Sequence, residues 1–264
     1  MCLILLAWQT HPDYPLVVAA NRDEFFARPT APAAFWADAP HILAGRDLQG
    51  GGTWLGINRQ GRFAALTNYR EGGVQRSDAP SRGALVADFL AAESESELEL
   101  NQESEAERYL ATLATRAADF NGFNLLVGDA RQMAYYANRG SSPRHLLPGI
   151  YGLSNHLLDT PWPKLASAKL AFAEALNALP NFESFFGLLA DQEIVADERL
   201  PNTGVALEWE RQLSAIFVSS STYGTRACTV LTVRKDGYTT LTERSFGLKA
   251  TLLGEVCERF QASF

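Results

Sequence analysis

Cys2 is the residue whose position most directly suggests chemistry. Methionine aminopeptidases remove Met1 when residue 2 is small, and cysteine is small enough. Removal leaves a thiol nucleophile and a free α-amine on one carbon. An α-amine titrates at roughly 7.7–8.0, so near neutrality it can take the thiol proton without a separate histidine. Its ammonium form also favours the thiolate electrostatically. A buried cysteine opening an ordinary strand looks the same in isolation, so the reading depends on what else the chain supplies.

The next supply is Asn21-Arg22-Asp23-Glu24, four polar residues after the apolar run 16–20. A carboxylate here can hold the α-amine, and the arginine can lower the thiol pKa. On its own the segment also reads as a surface ion-pair turn. If it stays extended, Asn21 and Asp23 face one side and Arg22 and Glu24 the other. Arg22 and Asp23 then reach one site only through a bend or bulge.

Asn68 and Asn155 each follow an apolar strand, where a side-chain NH₂ can project into a cleft as an oxyanion donor. Losing one such donor typically costs on the order of 10²–10³ in rate. Either asparagine alone is equally a turn residue. Arg226 precedes the strand 228–233; if that strand is regular, Arg226 shares a face with Cys228 and Val230. Trp54 and Tyr69, with Phe25, Phe26 and Trp36, lie close to these residues in sequence and suit either an acyl pocket or a core. Gly50-Gly51-Gly52 is not followed by GK[ST], which argues against a phosphate loop and for a flexible loop beside the cleft.

The elements that must position these residues are mainly hairpins. Residues 53–58 and 62–67 flank Arg59-Gln60-Gly61, 123–127 and 132–137 flank Gly128-Asp129, and 229–233 and 238–243 flank Lys235-Asp236-Gly237. Turns this short join antiparallel strands. Residues 3–8 read as a buried strand. Helices are expected over 81–92, with Leu85, Val86, Phe89 and Leu90 on one stripe, and over 163–179 with Pro163 in the first turn. Shorter ones are expected over 182–190 and 205–213. The acidic stretch 93–107 reads as a solvated loop and helix face. Hairpins alternating with helices, without repeat or linker, point to one α+β domain over 1–264.

Together these residues resemble the NRDE family, also called the transport-and-Golgi-organisation family. The resemblance covers most of the chain. It rests on the N-terminal Met-Cys, Asn21-Arg22-Asp23-Glu24, Gly45-Arg46-Asp47 through Gly51-Gly52-Thr53-Trp54-Leu55-Gly56, and Thr67-Asn68-Tyr69-Arg70. It continues with Gly152-Leu153-Ser154-Asn155, Tyr223-Gly224-Thr225-Arg226 and Glu243-Arg244-Ser245-Phe246. More distantly, the layout is similar to the cysteine N-terminal-nucleophile hydrolases that cleave bile-salt conjugates and penicillin V. That similarity implies a four-layer αββα sandwich, two antiparallel sheets between helix layers, with the nucleophile on a central strand. It also implies a catalytic set of Cys2, Arg22, Asp23, Asn68, Asn155 and Arg226; from their place beside these residues, Asn21, Glu24, Trp54 and Tyr69 are the candidates for contacting substrate. In those hydrolases the Arg and Asp are separated by two residues, whereas Arg22 and Asp23 are adjacent. Asn21, Asp23 and Glu24 therefore all remain candidates for holding the amine.

Composition limits the alternatives. With 47% apolar residues the chain has material for a large core, and a formal charge of −7 argues against a nucleic-acid surface. No apolar run reaches the roughly 18–20 residues that span a bilayer, and the N-terminus lacks the basic region of a secretory signal. Three scattered cysteines and four separated histidines offer neither a disulfide framework nor metal-ligand spacing. The expectation is a cytoplasmic protein without metal or cofactor, acting on a small-molecule amide. The competing readings are a non-catalytic carrier or trafficking protein for haem or an acyl or lipid ligand, with His156 the nearest haem ligand, and an interaction protein that leaves the site unused.

Overall fold

β1 (Cys2–Trp8) is buried along its whole length, which a strand achieves only when both of its faces are covered. The computed structural model describes residues 2–73, 75–92, 104–129, 131–140 and 142–263. Ile4, Leu6 and Trp8 point one way with Leu16, Val18 and Ala20 of β2 (Leu16–Phe25), meeting Leu43, Ile57, Phe63 and Leu126 of a second sheet. Leu3, Leu5 and Ala7 point the other way with Val17 and Ala19, onto Leu165, Phe172, Phe185 and Leu189 of a helix layer.

The first sheet runs β10-β1-β2-β11-β12-β13, where β10 is Gly149–Leu153, β11 Tyr223–Val233, β12 Tyr238–Phe246 and β13 Leu252–Gln261. The second runs β3 to β9 in chain order: Thr30–Phe35, Ile42–Asp47, Leu55–Asn58, Phe63–Asn68, Phe123–Gly128, Met133–Ala137 and Arg144–His145. The neighbouring strands in both sheets pair antiparallel. On the outer face of the second sheet lie α1 (Gly83–Ala91) and α2 (Glu105–Ala114). On the outer face of the first lie α3 (Pro163–Ala175) and α4 (Glu183–Leu189). α5 (Leu207–Gln212) closes the segment before β11. The result is the αββα sandwich.

All three expected hairpins form. α1 buries Leu85, Val86, Phe89 and Leu90, the stripe its spacing predicts, and α3 starts with Pro163 in its first turn. Of the acidic stretch, residues 93–103 lie outside the described residues. Ser104 and Glu107 form a reciprocal capping box that opens α2, so that end of the stretch is a helix start. Among the described residues no helix is long and apolar enough to cross a membrane.

Candidate active site

The registers at the ends of β1 and β2 build the site. Cys2 stands opposite Arg22, so the two are cross-strand neighbours on the inter-sheet face. There the inter-sheet core stops and a cleft of about 500 Å³ opens. Cys2, Arg22, Asp23, Glu24, Trp54 and Asn68 all line it.

Arg22 is buried, with its guanidinium 4.4 Å from the Trp54 ring centroid and 3.6 Å from the Glu24 carboxylate. A Cβ on Gly45 would come within 2.3 Å of the Trp54 indole, so glycine there leaves room for the ring that carries Arg22. Asp23 belongs to the opposite face of β2. The Thr225 hydroxyl donates to its carboxylate at 2.7 Å, and the Tyr223 hydroxyl donates to its carbonyl at 2.9 Å. It still lines the cleft, because the described pairing of β1 with β2 stops at Cys2 and Arg22. β2 keeps its register with β1 through Arg22. The irregularity lies in β11, which carries one extra residue where Thr225 pairs with Asp23 and Ala227 with Arg22.

That extra residue is Arg226, and the bulge ends the regular alternation that would have put it on the face of Cys228 and Val230. Its Nη1 donates to the carbonyls of Phe25 (3.0 Å) and Arg28 (3.1 Å), pinning the turn after β2. It lines a neighbouring pocket with Glu243, not the Cys2 cleft.

Asn21 faces the helix layer, where its NH₂ donates to the carbonyls of Leu189 (2.8 Å) and Ile216 (2.9 Å). It ties α4 to the segment before β11 and does not line the cleft. Asn68 ends β6 on the cleft wall. Asn155 is buried behind it and donates its NH₂ to the Asn68 carbonyl at 2.9 Å. Tyr69 points elsewhere: its hydroxyl lies 2.8 Å from His156 Nε2. His156 Nδ1 is 2.9 Å from the Thr160 hydroxyl, so both ring nitrogens of the histidine considered for haem are engaged.

Burial pushes the Cys2 thiol pKa up. The charge of the chain's amino terminus opposes this, Asp23 adds to it and Arg22 opposes it. Burial likewise raises the Asp23 carboxyl, against the pull of the amino terminus and Lys164. A buried thiol beside opposing charges can be made a nucleophile when a proton acceptor is at hand.

Several contributors escaped sequence reasoning. Arg28 and Asp47 form an ion pair at 2.7 Å in the cleft lining, and Arg82 lines the cleft at the start of α1. Asp47 belongs to the family-like Gly45-Arg46-Asp47 stretch, whereas Arg82 has no local signal. Behind Asp23 sits a sealed ionic group in which Arg70 Nη1 meets Glu210 Oε2 at 2.7 Å. Lys164 Nζ there donates to the Leu213 carbonyl at 2.8 Å, and burial lowers its pKa to about 8.

Fold and cleft thus define an αββα protein with Cys2, on its first described strand, at the mouth between its two sheets. The chain belongs to the Transport and Golgi organisation 2 family, whose model matches residues 1–247. It is 40% identical over 269 residues to the Transport and Golgi organization protein 2 homolog of Bos taurus, covering 93% of each chain. Among solved structures it is similar to the C2A mutant of conjugated bile acid hydrolase from Clostridium perfringens, with a TM-score of 0.48 and 10% identity over 98% of this chain and 96% of that one. It is also similar to penicillin V acylase from Agrobacterium tumefaciens, with a TM-score of 0.46 and 14% identity over 95% and 84%.

Proposed function

We propose that the chain is a cysteine amidohydrolase that cleaves a linear amide C–N bond through a Cys2 thioester. The observation that carries this is the register: Cys2 and Arg22 share the inter-sheet face at an open cleft, with Asp23 one residue on. The active form is the one from which Met1 has been removed, because the mechanism uses the α-amine of Cys2. That amine takes the thiol proton as Sγ attacks the amide carbonyl carbon. It passes the proton to the leaving nitrogen as the C–N bond breaks, releasing the amine and leaving the thioester. Water then attacks the thioester carbonyl, giving its proton through the same amine to Sγ, and the carboxylic acid departs.

Asp23 orients the amine, and Arg22 favours the thiolate. Asn68 donates to the oxyanion. Asn155 acts as a positioning residue that holds the end of β6 through the Asn68 carbonyl. Arg226 fixes the turn that carries Glu24 and Arg28 to the cleft. Trp54 supports Arg22.

Intact mass of the purified protein, before and after limiting iodoacetamide, tests the reading. Loss of Met1 with labelling at Cys2 faster than at the exposed Cys257 is the expected result. A trimmed chain whose Cys2 labels no faster than Cys257 would remove the nucleophile.

A further inference from the structure

The Cys2 cleft is lined by three arginines, and two are already neutralised. Arg28 lies 2.7 Å from Asp47 and 3.9 Å from Glu24; Arg22 lies 3.6 Å from Glu24. Asp47 is further occupied by the backbone N–H groups of Gln49 and Gly50, each at 3.0 Å. Arg82 is different. Its Nη1 donates to the Gly122 carbonyl at 2.9 Å, and among the described residues it has no carboxylate partner within ion-pair distance. A guanidinium carries about five N–H donors in a planar fork, so one carbonyl leaves most of its capacity unused.

The wall around Arg82 favours the same sign of ligand. Arg82 is the N-cap of α1, whose first turn contains no acidic residue, so the positive end of the helix adds to its charge. Gly50, Ser81 and Gly83 line the cleft beside it, and the Asp47 carboxylate there is taken up by Arg28. A Cβ on Gly52 would fall 2.3 Å from the Gly83 carbonyl, so glycine at 52 lets the Gly50-Gly51-Gly52 loop lie directly on the start of α1. No side chain from that loop then separates Arg82 from the cleft. Of the ionisable groups around the cleft, Cys2 and then Glu24 couple most strongly to Arg82.

Resting on the amidohydrolase reading, we propose that the substrate is an amide bearing an anionic group, such as a carboxylate, sulfonate or phosphate, close to the scissile bond. Arg82 is the specificity-determining residue that pairs with that group as the carbonyl reaches Cys2. A neutral amide would leave Arg82 without a counter-charge and bind poorly.

Iodoacetate and iodoacetamide test this, because they deliver the same alkylation with and without a negative charge. Each would be applied to the Met1-free protein, with rates at Cys2 and Cys257 read by peptide mass spectrometry. The iodoacetate-to-iodoacetamide rate ratio at Cys2 should exceed that at Cys257 by about tenfold, within the range by which a charged cleft concentrates its ligand. Arg82→Gln should bring the two ratios together, and Arg82→Lys should keep most of the difference. An arm on the unsubstituted protein uses N-acetylglycine, which should slow iodoacetamide labelling of Cys2 where its methylamide does not. Rapid iodoacetamide labelling without charge preference, or a preference that survives Arg82→Gln, overturns the anion assignment and leaves the nucleophile standing. Inertness of Cys2 to both reagents removes the nucleophile and this substrate class with it.

Discussion

The two faces of Asn21–Glu24 are held in different ways. On the helix side, Asn21 is 1% exposed and donates to two carbonyls, while Asp23 takes hydrogen bonds from Thr225 and Tyr223. On the cleft side, Arg22 rests on an indole ring and makes a looser 3.6 Å contact with Glu24. One face is fixed by short hydrogen bonds, and the other keeps charge beside a nucleophile. A single tetrapeptide can thus serve the scaffold and the chemistry, because the strand's alternation sends its residues to separate layers.

Substitutions on the two faces should separate these roles. Cys2→Ala, on the cleft side, should lower amide turnover by on the order of 10⁴ or more, as loss of a covalent nucleophile does. Its urea midpoint should stay close to that of the parent; a lost fold would show that Cys2 serves packing instead. Asn21→Ala should do the reverse. Two buried carbonyls lose their donor, costing about 2–4 kcal/mol of unfolding free energy. Cys2 labelling per folded molecule should not change, and a selective loss of labelling would move Asn21 into the chemistry.

Lys164, behind Asp23, gives a pH signature for the helix side. Its pKa falls from 10.5 to about 8, so between those values the unfolded chain holds the proton that the folded one has lost. Stability should therefore rise with pH from 8 to 10.5, by at most on the order of 3 kcal/mol. Urea titrations of Lys164→Met should show that rise flattened; an unchanged slope would place the titration elsewhere. The smallest effect belongs to Arg22→Gln. Arg22 pulls the Cys2 thiol pKa down, so its loss should move the pH profile of iodoacetamide labelling upward while the urea midpoint changes little. A profile that stays in place would make Arg22 a packing residue.

The same contrast explains what could be read from the sequence. The hairpins were legible because their turns and apolar strands are local, and α1 because its apolar stripe is. β3 contains Pro32 and small residues, and most of β13 is exposed, so neither alternates as a half-buried strand does. The burial of Asn21 and Asp23 within a strand was hidden for another reason. Their hydrogen-bond partners lie 168, 195 and 202 residues away, and only such partners offset the cost of burying polar groups. The bulge at Arg226 is likewise a property of pairing, not of the residue itself. At the site, Cys2, Arg22, Asp23, Glu24, Trp54 and Asn68 stand in recognisable sequence stretches, while Arg28 follows the end of β2 without a local signal and Arg82 enters from a helix start in the other half of the sandwich.

The position of β1 has a consequence for the order of events during synthesis. It precedes every other described strand in the chain, yet it lies between β2 and a strand whose Leu153 pairs with Ile4. The sheet around Cys2 cannot close until β10 and β11 have been translated, because non-local pairings form only after the intervening chain exists. Until then Cys2 lacks the strands that cover it; afterwards it is only 8% exposed. Late closure thus sets a window, ending when the sheet forms, for the trimming that the proposed mechanism requires.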